Sequence, residues 1–401
     1  MSARPPPPPL HLLRAHTAQV NVVYFSDDNE RLYSGDLAGS VVITSTRTLR
    51  SLALWQAHTD GLLGIEEWAQ HVITHGRDNK LHVWICAQEP ATAVGDSAVA
   101  PDLLTPKLCY SMDVNALNYC RFSLWPLSSA DADGEPKALL ALPNLVESSL
   151  ADVWTLPSQQ RLHAAVGKSG LPVSPDGRGQ NSTGIIMSMH LFEVAHPSIS
   201  DQTQLRLLCA YENGSVAMWE YIRTDKETSI EGIGWERVWE VKLHVETVMA
   251  MTVSKDNTLA LTVSADHLIG RYDLQNADMP EMVQSACVIH RTKNPGNSSI
   301  AIRDDGRVCA VGGWDGKVRL FSTKSMKPLG TLDYHKKSCT AVAFASQEPR
   351  QGEVPLLGVD EDNEDEMSGE EKAERTRWLA AGGQDNRVSI WGLISFDGAS
   401  S

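Results

Sequence analysis

The sequence predicts an all-β fold built from seven repeats of one small strand-and-turn unit, and three observations carry the prediction. The run Gly-Arg-Asp-Asn-Lys-Leu-His-Val-Trp at 76–84 returns as Gly-Gln-Asp-Asn-Arg-Val-Ser-Ile-Trp at 383–391. In both, an Asp in a tight turn stands six residues ahead of a Trp, with apolar residues alternating between, which is the spacing of a turn leading into a buried strand. A His lies upstream of most copies, at the distance that two short strands and their turns take up. Composition agrees: 401 residues with 42% hydrophobic content, 29 Gly and 20 Pro supply one large core and many turns.

Taken in order, the first unit runs from Ser34 to Thr44, with Ala38 at the Asp position and Thr44 at the Trp position, which leaves Asp36 outside the register. The second is the full copy with Asp78 and Trp84. The third, Leu139 to Trp154, keeps only an apolar stretch and the terminal Val153-Trp154. In the fourth, Asn213 replaces the Asp ahead of Trp219, and Asn suits the same turn. The fifth pairs Asp266 with Tyr272, the sixth Asp315 with Phe321, and the seventh Asp385 with Trp391. His16, His58, His244, His290 and His335 hold the upstream position.

This set of markers resembles the WD-repeat family of β-propellers, whose repeat carries a loop His, a Ser or Thr on the second strand, an Asp in the next turn and a Trp on the third strand. The resemblance implies a seven-bladed WD-repeat β-propeller over residues 10–396, behind a proline-rich arm at 1–9 and ahead of a short tail at 397–401. The full set is His58, Thr74, Asp78 and Trp84, and nearly full is His244, Thr262, Asp266 and Tyr272; Asp315, Asp385 and Trp391 stand at matching positions. A carboxylate buried at a turn needs donors to offset its desolvation, and an imidazole, a hydroxyl and an indole N–H supply them. The quartet therefore reads as a structural hydrogen-bond network. The same residue types occur in catalytic triads, but a hydroxyl locked under a Trp inside a sheet cannot reach a substrate.

Charge and motifs exclude further classes. The net charge of −15 argues against direct capture of nucleic acid, which draws on clustered Lys and Arg. Residues 347–377 hold eleven Asp or Glu against four Lys or Arg and interrupt the seventh unit, which predicts a disordered acidic insert. Two readings of it stand: a solvated surface loop, or an acidic docking element or phosphorylation-tuned switch. The stretches 87–107, 126–137 and 168–184 have loop composition. Gly167-Lys168-Ser169 lacks the upstream Gly of a phosphate loop, since Leu162 stands there, and no other catalytic or calcium motif occurs. The expectation is a chain with no catalytic residues, cofactor or metal. No run of about 18 apolar residues occurs, so no membrane span is expected, and the start, with Pro5 to Pro9, does not read as a signal peptide. Seven scattered cysteines with no zinc-type spacing predict a reducing compartment, cytosol or nucleus.

The less generic segments carry a closer resemblance. The proline-rich arm before Ser34-Gly35, the stretch Thr74 to Leu81, Lys293-Asn294-Pro295-Gly296 and the run Gly312 to Phe321 are similar to the ASTRA-associated protein 1 family of fungi, over nearly the whole chain. The resemblance implies a non-catalytic scaffold of the ASTRA assembly in the nucleus. Chromatin regulation and maturation of phosphatidylinositol-3-kinase-related kinases would be its context. The implied partners are Tel2, Tti-type proteins, a Tra-type pseudokinase and the RuvB-like ATPases. A generic WD-repeat scaffold of another nuclear or cytosolic complex is the alternative. The residues before the turn Asps, Arg77, Ala265, Trp314 and Gln384, point from a rim where side chains are exposed on a rigid base, and Arg77, Trp314 and Gln384 mark the candidate partner-binding rim. Trp314 has a second reading, packing over the loop near Asn294, Pro295 and Gly296.

Overall fold

Each repeat's alternating apolar residues place strands side by side, and the result is seven four-stranded antiparallel sheets. The structure, a computed structural model, describes residues 6–85, 103, 105–127, 136–168, 183–195, 203–278, 281–347 and 367–394. The chain is a seven-bladed β-propeller. Blade one holds Val20–Phe25, Arg31–Asp36, Ser40–Ser45 and Ser51–Gln56; blade two Leu62–Trp68, His71–Gly76, Lys80–Ile85 and Lys107–Asp113. Blade three holds Ser123–Pro126, Ala138–Pro143, Ala151–Leu156 and Gln160–Val166; blade four Ile186–Ala195, Thr203–Tyr211, Ser215–Tyr221 and Trp235–Lys242. Blade five holds Val248–Val253, Leu259–Ser264, Leu268–Asp273 and Cys287–Arg291; blade six Asn297–Ile302, Val308–Gly313, Lys317–Ser322 and Pro328–Asp333. The third repeat, reduced to an apolar stretch in the sequence, is thus a complete blade.

Blade seven is made from both ends of the sequence. Cys339–Phe344, Trp378–Gly383 and Val388–Gly392 take the N-terminal strand His11–Leu13 as their fourth member, with Leu12 opposite Ser389. Pairing begins at Leu10, whose N–H donates to the Ile390 carbonyl. The proline arm ends there because proline has no N–H to give a ladder.

Second strands such as Leu259–Ser264, Val308–Gly313 and Trp378–Gly383 are buried throughout, and so read as unbroken apolar or small-residue runs. Fourth strands such as Pro328–Asp333 are largely exposed. The chain forms two compact units, residues 1–76 with 82–111 and 301–401, and residues 77–81 with 112–300. In the first, Tyr33, Val41, Trp55, Leu62, Ile65 and Trp84 form one core cluster, Val20, Leu32, Trp378 and Ile390 a second, and Leu320, Leu379 and Trp391 a third. In the second, clusters form around Leu191, Leu207 and Trp235 and around Phe192, Met218 and Tyr272. The core therefore lies between the faces of successive sheets, where each fully buried Leu, Ile or Phe is worth about 1.5–3 kcal/mol.

The acidic insert is corrected in part. The run Asp360 to Glu366 lies outside the described residues, but Gly369–Arg375 is a helix. Ser368 caps it, and Glu371 reaches back to the Ser368 N–H, completing a capping box. Arg375 is buried, with its guanidinium 4.8 Å from the Trp378 ring centroid and Nη2 donating to the Thr46 carbonyl at 3.4 Å. Charge counted over the whole insert hid this helix, because Ser-Gly-Glu-Glu followed by Lys372 and Arg375 is an ordinary capped, dipole-matched start and finish.

Candidate functional site

The connector entering a blade meets two of the turns that join second to third strands, that of the blade before it and that of its own blade. Backbone bonds join them: His58 N–H to Gly39 O, Val114 N–H to Asn79 O, His244 N–H to Gly214 O and Gln384 N–H to Ser338 O. This junction is where the sequence placed both the bracing quartets and the candidate rim.

The braces are built as follows. In blade two, the Trp84 indole N–H donates to Thr74 Oγ1 at 2.9 Å and His58 Nε2 lies 2.8 Å from the same hydroxyl. Asp78 accepts from the Lys80 N–H at 3.3 Å and is only half-buried. In blade five, His244 Nδ1 lies 3.1 Å from Asp266 Oδ2, Nε2 lies 2.8 Å from Thr262 Oγ1, and that hydroxyl meets the Tyr272 OH at 3.3 Å. Burial pushes the His244 imidazole down, against the charge and hydrogen bond of Asp266, so it is neutral at neutral pH. A carboxylate only accepts, so the proton sits on Nδ1 and Nε2 accepts from the threonine. In blade seven, His335 Nδ1 lies 2.9 Å from Asp385 and Nε2 2.9 Å from Ser389 Oγ, which also accepts the Trp391 indole N–H at 3.0 Å.

Three placements differ from the sequence reading. Asp36 is not outside the network: it is 1% exposed, accepts from His16 Nδ1 at 2.9 Å and takes the N–H groups of Ala38 and Ser40, while His16 Nε2 meets Ser34 Oγ. Burial pushes its carboxyl up, but the His16 hydrogen bond, the Ser40 N–H, the His16 charge and the Ala38 N–H together hold it below the usual range. His290 does not sit in a connector; it lies on the edge strand Cys287–Arg291, opposite Ile269. Asp315 turns to Arg319, whose Nη1 donates at 3.1 Å, and its carboxyl is lowered because that pairing outweighs burial. In blade six the strand positions equivalent to Thr74 and Trp84 are Val311 and Phe321, neither of which offers a hydrogen bond from its side chain.

Other network members were missed. Blade three uses Asn144, whose Nδ2 donates to Asp152 Oδ1 at 2.8 Å, and blade four uses Tyr211, whose OH accepts the Trp219 indole N–H at 3.2 Å. Ser389 on the third strand replaces the second-strand hydroxyl in blade seven, where Ala381 stands. A search for hydroxyls on either middle strand would have found it.

At the rim, Trp314 is 50% exposed and Gln384 is exposed. Arg77 is half-buried, with its guanidinium 4.5 Å from the Tyr119 ring centroid and Nη2 donating to the Tyr119 OH at 3.0 Å. Beside Tyr119 lies a feature that spacing did not reveal. Asn115 and Asn144 each accept the N–H two residues ahead, of Leu117 and Val146, and Asn115 Nδ2 donates to the Asn144 carbonyl at 2.8 Å. Two linked Asx turns thus hold Leu117 and Val146 outward, 73% and 94% exposed. The signal available in the sequence was an Asn two residues before a large aliphatic residue in a loop.

The profile described as "WD domain, G-beta repeat" matches residues 7–45 and 292–322. The ASTRA-associated protein 1 of Verticillium alfalfae is 34% identical, across 97% of this chain and 93% of its own length. The chain belongs to the ASTRA-associated protein 1 family. Members from Penicillium rubens and Schizosaccharomyces pombe are 29% and 26% identical over 97% and 84% of the chain. With both observations, the blades described above are those of a WD-repeat propeller.

Proposed function

We propose that this family member is a non-catalytic interaction scaffold of the ASTRA assembly named in its relatives, acting in the nucleus in chromatin regulation and in maturation of phosphatidylinositol-3-kinase-related kinases. The observation that carries the reading is the division of labour at the junctions. The hydroxyls that bond His within the bracing networks, Ser34, Thr74, Thr262 and Ser389, are at most 2% exposed, so none of these four can attack a substrate. The side chains facing outward, Arg77, Trp314 and Gln384 among them, are binding groups on a braced base. Similarity to ASTRA-associated proteins from end to end supports the assembly, and Tel2, Tti-type proteins, a Tra-type pseudokinase and RuvB-like ATPases are the partners proposed. With a net charge of −15, any chromatin role passes through those partners.

Affinity purification of the full chain from its own cells, read by mass spectrometry, tests the reading. The expected result is that these kinase-maturation proteins dominate the recovered set. Their absence alongside a folded bait would overturn it, and recovery of a different stable complex would replace it with a WD scaffold of that complex.

A further inference from the structure

The junction between blades six and seven differs in charge from the chain that carries it. The connector Tyr334 to Ser338 is clasped from both sides. On one, the turn Trp314-Asp315-Gly316 is pressed so closely on it that a Cβ at Gly316 would lie 2.1 Å from the His335 carbonyl oxygen and 2.7 Å from that of Lys337. On the other, the Gln384 N–H donates to the Ser338 carbonyl at 2.9 Å and Arg387 Nη1 to the Tyr334 OH at 2.7 Å. Three segments therefore form one continuous, preorganised surface.

Over 313–319, 333–338 and 383–387 there are five Lys or Arg against three Asp, in a chain of net charge −15. Each Asp is already engaged: Asp315 by Arg319, Asp333 by Lys317 at 2.9 Å, and Asp385 by His335. Lys336 and Lys337 are exposed and have no carboxylate partner among the described residues. On the turn packed against their connector stands Trp314, half open to solvent. Trp is among the residue types most enriched at binding hot spots, and the two lysines leave the connector with positive charge that no carboxylate of the described residues neutralises.

We propose that Trp314, Lys336, Lys337 and Gln384 form a docking surface for an acidic segment of a protein partner, with an apolar side chain of that segment on the indole and its carboxylates at the two lysines. The proposal rests on reading the rim as partner-binding and adds the chemistry of what binds. Charge complementarity selects the occupant. Nucleic acid is disfavoured because a long polyanion would also meet the acidity of the rest of the chain, whereas a short acidic segment meets only the local surplus.

The test uses the full chain in its own complexes. Lys336→Glu with Lys337→Glu should keep the wild-type melting temperature, since both side chains face solvent, and Trp314→Ala, which removes a half-covered indole, should stay folded at the temperature of the recovery assay. Each should lower recovery of one directly bound subunit by about tenfold or more, the change expected for a lost hot spot. A photo-crosslinking residue at position 314 should then attach to an Asp/Glu-rich segment of that subunit, and Lys substitutions there should restore binding to the double Glu variant. Undiminished recovery with the variants would overturn the proposal. So would a crosslink to a non-acidic segment, to nucleic acid, to a second copy or to residues 348–366 of the same chain. Failure of the wild-type chain to recover the ASTRA subunits counts against the proposed function instead, because the crosslink identifies the occupant whichever complex it belongs to.

Discussion

Blade one and blade seven solve the same problem from opposite positions. Both must give a buried His Nδ1 a carboxylate, and both do, at 2.9 Å. In blade seven the acid is Asp385 in the turn, and the residue that ends the second strand is Gly383. A Cβ there would lie 2.6 Å from His335 Nδ1 and 2.8 Å from Asp385 Oδ1. In blade one the residue that ends the second strand is the acid itself, Asp36, and the turn position holds Ala38. The two sites compete for one space beneath the imidazole, so an acid at one requires a small residue at the other. The remaining blades with a turn Asp obey this: Gly76 with Asp78, Ser264 with Asp266 and Gly313 with Asp315. What a blade with this buried His needs is one carboxylate oxygen at a point in space, and sequence position is secondary.

The largest effect that tests this is a swap. Asp36→Gly should leave the His16 N–H and the Ala38 and Ser40 N–H groups without their acceptor, at about 3 kcal/mol, because each stranded donor carries a desolvation penalty. Adding Ala38→Asp should return a substantial part of that loss by converting blade one to the arrangement of blade seven. Urea unfolding of the single and double variants decides it. A double variant no more stable than Asp36→Gly alone would show that the two positions are not interchangeable.

That pair also marks how far the sequence could be read. The repeat, the strand count and the burial of the strand after each turn were legible, since alternation and turn residues are local properties of the chain. The members of each network were legible only where they kept the common spacing, as at His244, Thr262 and Asp266. Asp36 and Ser389 escaped because a hydrogen bond depends on where an oxygen points, and two strand positions can bring it to the same imidazole. Blade three escaped for a stronger reason: it dispenses with the His and satisfies Asp152 from Asn144 and the Ala165 N–H. The outward Leu117 and Val146 escaped because periodicity finds what is buried.

A medium effect is expected at Gly383. Gly383→Ala puts a methyl group into the space held by His335 and Asp385, and overfilling of this kind costs about 1–3 kcal/mol. Combined with Asp385→Ala, which vacates the space, the methyl should cost little more than the loss of the acid alone. A double-mutant cycle read by thermal or urea unfolding gives the coupling. Additive effects would mean that the strand-end glycine serves another purpose and that the resemblance between the two blades is only formal.

The smallest effect belongs to blade six, where the turn acid has lost its purpose as a brace. No imidazole contacts Asp315 among the described residues, and the second- and third-strand partners are Val311 and Phe321, so every polar member of the quartet except the Asp is missing together. That is the pattern expected if a half-satisfied buried network is worse than none. The carboxylate is instead drawn outward to Arg319, where its side chain is 42% exposed and solvent screens the pair. Asp315→Ala should therefore cost under about 1 kcal/mol, the range of an exposed ion pair, and the cost should shrink with added salt. Asp36→Ala, measured beside it, should cost several times more and respond weakly to salt. A loss at Asp315 equal to that at Asp36 would mean that the turn acid is required by the blade regardless of its partner, and the exchange of positions between blades one and seven would then need a different cause.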